Sequence, residues 1–312
     1  VSQKTFNILW HNVSQEVQSE VQLAMQSLLG RINFLSSAPT DLATDAVIMD
    51  FRGIDPIEAT ALLTKYADCA FVITEHQDID NINNILAKFP VSHVFGTNGK
   101  NIAREIAISL KKLVTGDIWG LDKYFESSKN LQSRIVKGAA EINGVIDELL
   151  KTLDVSETFE TAREFLRMTA NELTTNAVYN APVDTENNPK YEQTDRKIKV
   201  VLLDSESVEI SFCYDDQYVG IAVTDNFGRL TRDKIVRHLV KCVNNTKFVE
   251  NKKGGAGAGI YLAYYVSNQF IINLDEGKKL EAICILEKSK RYKEYRSRIT
   301  SFNYFKKFGG AA

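Results

Sequence analysis

Between Phe6 and Leu113 short apolar runs alternate with longer amphipathic ones, and no other feature of the chain limits its possible folds as strongly. The runs FNILW (6–10), INFLS (32–36), AVIMDF (46–51), AFVIT (70–74) and SHVFG (92–96) have strand length, and several are too evenly apolar for a sheet with one wet face. Amphipathic segments fill most gaps, giving the order strand, helix, strand, strand, helix, strand, helix, strand, helix. Parallel strands joined by right-handed crossovers satisfy that order. The first half is therefore predicted to be an α/β domain, residues 1–115, with a parallel five-stranded sheet. The rhythm stops at LVTGDIWGLDKYF (113–125), where two glycines interrupt the periodicity, and residues 116–129 are expected to be a linker.

The second half has another pattern. An alternating segment at 133–136 precedes the helix-like EINGVIDELLKTL (141–153) and the longer ETAREFLRMTANELTTNAVYNA (160–181), which Pro182 ends. A polar stretch at 184–196, expected to be mobile, leads to strand candidates at 197–203, 208–214 and 218–225. The last two are spaced for a hairpin across Asp215–Gln217. After the glycine-rich KKGGAGAGIYL (252–262), residues 271–274 and 281–287 read as a closing hairpin. Helices gathered on an antiparallel or mixed sheet predict an α+β sandwich over 130–288. Residues 289–312 form a basic, aromatic tail, expected to be an amphipathic helix packing its rings.

Composition narrows the partners. With 38 basic and 40 acidic residues the net charge is −2, which provides no broad positive field for nucleic acid or an anionic membrane. No apolar run approaches the roughly 20 residues a bilayer span needs, and no leader pattern opens the chain, so a cytoplasmic location is expected. Cys69, Cys213, Cys242 and Cys284 lie far apart with no C-x-x-C pair, as expected of reduced structural thiols.

Three features of the second half point to ligand chemistry. Glu172 and Asn176 are four apart on a helix and share a face. Asp225 ends an apolar strand just before Gly228, where a buried carboxylate could accept a hydrogen bond from an amino group. The run Gly255-Ala256-Gly257-Ala258-Gly259, followed by Ile260 and preceded by Lys252 and Lys253, suits backbone N–H groups approaching phosphate at a helix start. A flexible linker is the alternative, and the spacing is neither a Walker loop nor a dinucleotide fingerprint.

Taken in order, Glu-x-x-x-Asn on a helix, Asp after a hairpin, G-x-G-x-G opening a helix and a closing hairpin resemble the GHKL (histidine-kinase-like) ATPase domain over about 130–288. The stretch NELTTNAVYNAP is most similar to the anti-sigma-factor serine kinases. The resemblance implies ATP and Mg²⁺ as cofactors, Asn176 as a Mg²⁺ ligand, and Glu172 as general base. It gives Asp225 the adenine amino group, and assigns Gly255, Gly257 and Gly259 to the phosphates under a mobile lid at about 229–253. Asn180 is placed facing the nucleotide. Phe227 stands where the family has glycine and is expected to fill part of the base pocket, and Leu280 replaces a common threonine. His238 falls in the lid segment.

The first half resembles the receiver domain of two-component regulators, most specifically at DAVIMD, which places Asp50 at the phospho-acceptor position and Thr74 at the hydroxyl position. His11-Asn12 stands where receivers carry an acidic pair, and Lys100 comes late for the conserved lysine. A pseudo-receiver with an inactive Asp50 is expected. Together these features predict a regulator that binds Mg-ATP and phosphorylates or sequesters a protein partner, with a homodimer implied by the resemblance alone. A catalytically silent adaptor is the alternative.

Overall fold

The apolar runs of the first half become strands β1 (Phe6–His11), β2 (Ile32–Leu35), β3 (Ala46–Asp50), β4 (Ala70–Glu75) and β5 (His93–Thr97) in the computed structural model. The structure describes residues 4–38, 43–75, 79–97, 101–153, 160–195, 198–243, 258–288 and 300–307. By its internal contacts the chain divides into one unit of Val1–Ile118 with Ile299–Asn303 and another of Trp119–Arg298 with Tyr304–Ala312.

In the first unit β2, β1, β3, β4 and β5 lie side by side in that order, each pairing its neighbour in parallel. Helices α1 (Gln15–Ala24), α2 (Pro56–Tyr66), α3 (Ile79–Lys88) and α4 (Ile102–Thr115) intervene. Local chemistry sets their ends. Ser14 caps α1 by accepting the Val17 N–H, Asp55 caps α2 ahead of Pro56, and Gly116 ends α4 at φ +72°. α1 and α4 pack against each other over a core that includes Ile8, Trp10, Ile48, Phe95 and Ile106.

The sheet of this unit is not purely parallel. Residues 301–303, which open β11 (Ser301–Lys306), lie antiparallel on β5, with Phe302 opposite Val94 and Asn303 opposite His93. The described part of the expected helical tail is thus a strand. Ser301 through Phe305 are all buried, which suits consecutive strand residues covered on both faces and not an amphipathic helix. Asn303 Oδ1 lies 3.0 Å from His93 Nδ1, whose ring stacks on Phe71. Burial pushes the His93 imidazole down to about 4.

In the second unit β9 (Gln269–Asp275), β10 (Lys279–Glu287), β8 (Tyr218–Asp225), β7 (Val208–Tyr214) and β6 (Gln132–Val136) form an antiparallel array in that order. α6 (Glu160–Asn180) lies on β7 and β8 and packs on α5 (Ile142–Lys151) and α8 (Ala258–Val266), which in turn meets α7 (Arg232–Val243). Much of the expected linker is built into this unit. Leu121, Tyr124 and Phe125 are buried, and the Phe125 ring would stand 2.9 Å from a Cβ at Gly220. The Gly120 N–H donates to Glu281 Oε2 at 3.1 Å.

The candidate strand at 197–203 is reduced to one antiparallel bridge between Val201 and Gly138. Val200 and Leu202 point inward while Ile198, Val201 and Leu203 remain exposed, and the short 3-10 turn Asp204–Glu206 ends the segment before a ladder can extend. The basic residues that close β11 find local acids, Lys306 meeting Glu276 and Lys307 meeting Asp275.

Truncating Phe302, fully buried in β11, is expected to destabilise the first unit by about 3–5 kcal/mol. Urea unfolding of Phe302→Ala followed by circular dichroism measures this, and an unchanged midpoint would mean that β11 contributes nothing to the fold.

Candidate functional site

α6 ends where Pro182 follows Ala181, and its last turns carry Asn176 and Asn180 on one face. The Asn180 amide donates to Asn176 Oδ1 at 3.0 Å, and the Asn180 carbonyl accepts from Arg229 Nη1 at 3.2 Å. Opposite them, β8 ends at Asp225. The side chains of Asn176, Asn180 and Asp225 line one cavity of about 250 Å³. Its remaining walls are largely apolar, supplied by Leu173, Ala177, Val223, Ile260, Leu280 and Ala282.

Asp225 is 3% exposed. Its Oδ1 accepts the backbone N–H groups of Phe227 at 2.8 Å and Gly228 at 3.1 Å. Gly228 makes that turn possible at φ +59°, where a Cβ would fall 2.2 Å from the Asp275 carbonyl oxygen. Burial pushes the Asp225 carboxyl up to about 6, against the pull of those two N–H donors and of Arg229. Oδ2 takes no hydrogen bond from the described residues, so a ligand donor can meet it.

The cavity mouth is charged. Arg229, Lys234, His238 and Glu192 contribute to its lining, and the Lys234 ammonium is held by the Arg229 carbonyl at 3.1 Å. Burial, with Lys241 and Arg237 nearby, lowers the His238 imidazole below its ordinary value. An apolar slot with a carboxylate at its floor and cations at its rim can hold a planar ring bearing an N–H donor and carrying an anionic tail.

Sequence reasoning and geometry meet unevenly. Asn176, Asn180, Asp225 and Ile260 line the cavity, and Gly228 shapes its floor. Glu172 is not among the lining residues. A Cβ at Gly259 would lie 2.0 Å from Glu172 Oε2, so the close approach at that glycine is made by a side chain of the same unit. Ala258 opens α8, while Lys252, Lys253, Gly255, Ala256 and Gly257 lie outside the described residues.

Phe227, expected to obstruct the slot, is half-buried and contributes its backbone N–H to Asp225 without lining the cavity. Arg229, Lys234 and Glu192 also line the cavity without a sequence motif to mark them, and so does His238 of the expected lid segment. The four-residue spacing of Lys234 and His238 on one helix was the available signal.

The polar stretch after α6 is braced over its described residues. Lys190 N–H donates to the Pro182 carbonyl at 3.0 Å, Val183 bridges Pro189, and Asp184 Oδ1 accepts from the N–H groups of Glu186 and Asn188. Glu206, 4% exposed, accepts from the Lys190 ammonium, from Tyr191 Oη at 3.3 Å and from the Leu203 N–H at 3.1 Å.

Among the described residues no group of three or more His, Cys, Asp or Glu side chains could hold a metal ion. A cation here would need ligand oxygens to complete its shell. Asn176 Oδ1 retains one lone pair after the bond from Asn180, so it fits as one such donor.

In the first unit, Asp50 ends β3 and is 4% exposed. Its carboxylate is taken up by Arg52. Nε reaches Oδ1 at 2.8 Å and Oδ2 at 3.1 Å, the Arg52 N–H adds a bond at 3.0 Å, and Nη2 also pairs with Oδ2. The guanidinium answers the buried charge from within the chain, and Asp50 raises the Arg52 pKa further.

No family model and no curated protein matches the sequence. Among solved structures, the regulatory domain of the master biofilm regulator CsgD is similar over 35% of this chain and 88% of its own, at 13% identity and a TM-score of 0.27. The Legionella pneumophila response regulator LqsR is similar over 91% of this chain and 87% of its own, at 8% identity and a TM-score of 0.29. Likeness at that level carries no function across.

Replacing Arg52 by Met leaves a buried carboxylate without its cation, and is expected to cost about 1–3 kcal/mol, reduced by the partial exposure of the guanidinium. Adding Asp50→Asn should restore part of the loss in urea unfolding. Purely additive effects would show that the pair is not coupled.

Proposed function

We propose that the second unit binds Mg-ATP in the manner of the GHKL ATPase domain, and that the protein is a signalling regulator acting through a protein partner. The first unit serves in this reading as a receiver-like input or docking module. The observation that carries the proposal is Asp225, a buried carboxylate on the floor of an apolar cavity, with Oδ1 held by two backbone donors. At neutral pH a carboxyl titrating near 6 is ionised and accepts the exocyclic amino group of adenine.

Asn176 and Asn180, on the opposite wall, would face the phosphates, with Asn176 Oδ1 as the protein ligand to Mg²⁺. The bound ion would neutralise phosphate charge. Arg229 and Lys234 add cations at the rim. Lys252, Lys253, Gly255 and Gly257 would supply the phosphate cradle, whereas Gly259 is approached by Glu172.

Transfer chemistry has less support than binding. Glu172, the proposed general base, packs against Gly259 and is not part of the cavity lining, and Asp50 is engaged by Arg52. Those two observations favour a second reading, a regulator that binds nucleotide without transferring phosphate and acts by sequestering its partner.

Calorimetric titration of the full chain with ATP, with and without Mg²⁺, tests the proposal. Binding should require Asp225, weaken in Asp225→Asn, and lose its Mg²⁺ dependence in Asn176→Ala. Its pH dependence has a definite sign. Affinity should rise as pH increases through about 6, where Asp225 ionises, and flatten in the Asn variant.

Folding stability moves the opposite way. The carboxyl ionises near 3.8 unfolded and near 6 folded, so the native state binds the extra proton between those values and loses stability as pH rises through that window. No heat with ATP at any pH, with the stability profile intact, would remove the nucleotide reading and leave the buried acid.

A further inference from the structure

The cavity of the second unit has one wall that neither the asparagine pair nor Asp225 explains. Glu192 contributes to its lining, is exposed, and makes no ion pair or hydrogen bond among the described residues. It follows directly on Lys190 and Tyr191, the two side chains gripped by buried Glu206. The same loop is closed at its base by the Lys190 N–H bond to the Pro182 carbonyl. An exposed acid on a loose loop would be an ordinary solvated side chain. Here the backbone beside it is fastened by a carboxylate that is itself 4% exposed and accepts three hydrogen bonds.

Resting on the nucleotide reading above, we propose that Glu192 reads the sugar hydroxyls of the bound nucleotide, and that Glu206 is the positioning residue that holds it there. The assignment follows from the donors a nucleotide offers. An ionised carboxylate is an acceptor only. The phosphates present acceptors and negative charge, so Glu192 repels them and Arg229 and Lys234 meet them instead. The ring amino donor is claimed by Asp225, at the buried floor. The donors that remain are the ribose hydroxyls, and Glu192 is a carboxylate of the same lining with its acceptors unengaged among the described residues. The cavity is thereby assigned to ribonucleotides over deoxyribonucleotides.

The test compares ATP, 2′-deoxy-ATP and 3′-deoxy-ATP by calorimetry on the full-length wild type and on Glu192→Ala, Glu206→Gln and Lys190→Met, with hydrogen exchange followed over 183–195. Wild type should bind ATP about 10-fold or more tighter than at least one deoxy analogue, as for a hydrogen bond to a charged acceptor. Glu192→Ala should bring the three nucleotides to within about 3-fold, with unchanged exchange in the loop. Glu206→Gln and Lys190→Met should lose the same discrimination while exchange over 183–195 speeds up. A loss of overall affinity with the ratio preserved would mark Glu206 as merely structural and overturn its positioning role. Equal binding of all three by wild type, or full discrimination in Glu192→Ala, would overturn the sugar assignment and leave ATP binding standing. If wild type binds none of the three, both readings fall.

Discussion

The second unit depends on how the Asp225 carboxylate is kept in a nearly dry place. Taking a carboxylate out of water is costly unless donors meet it, and here the donors are two backbone N–H groups presented by a tight turn. That turn requires φ +59° at Gly228, and the same residue lies so close to the Asp275 carbonyl that no side chain fits. One glycine therefore fixes the carboxylate and the approach of the β9–β10 turn together. Leu280 stands directly opposite Asp225 in the β10 register and completes an apolar floor around it. The cavity is defined from this corner outward: α6 supplies one wall, α7 the mouth, and the braced loop after Pro182 another side.

Much of this was legible in the sequence because it follows local rules. The strands of the first unit fall within a residue or so of the apolar runs, and α6 ends at the proline that stops it. Asn176, Asn180 and Asp225 line one cavity, and the helix spacing of the first two and the strand end at the third are visible in the sequence. What was not legible depends on long-range pairing. Nothing near Lys190 indicates that Glu206, sixteen residues on, will be buried to receive it. SFNYF at 301–305 gives no sign that it will find Val94 and His93 more than two hundred residues earlier. In both places polar or basic residues suggested solvent, and partners supplied from afar decided otherwise.

The glycines show the same limit at finer scale. A glycine records that something comes close, without recording what. At Gly228 it is the Asp275 carbonyl, at Gly220 the Phe125 ring and the Ile285 side chain, and at Gly259 the Glu172 carboxylate. Phosphate was a reasonable expectation at Gly259, yet a side chain already explains the missing Cβ there. Phe227 makes the converse point. Its bulk suggested an obstructed pocket, but the turn uses its N–H and keeps the ring out of the cavity wall.

Each unit buries a carboxylate at the carboxyl end of a strand, Asp50 on β3 and Asp225 on β8, and the two are answered in opposite ways. Asp50 is met by a guanidinium two residues away that engages both oxygens, so its charge is satisfied within the chain and little acceptor capacity remains for a ligand. Among the described residues Asp225 receives only neutral backbone donors, both on Oδ1, and burial pushes it up to about 6 beside open volume. A cation as partner ends a carboxylate's demand for further bonding. Backbone donors on one oxygen alone do not, because the second oxygen still lacks a donor and the charge remains costly. Among the described residues, the unfilled acceptor capacity of the two carboxylates therefore lies with Asp225 and not with Asp50.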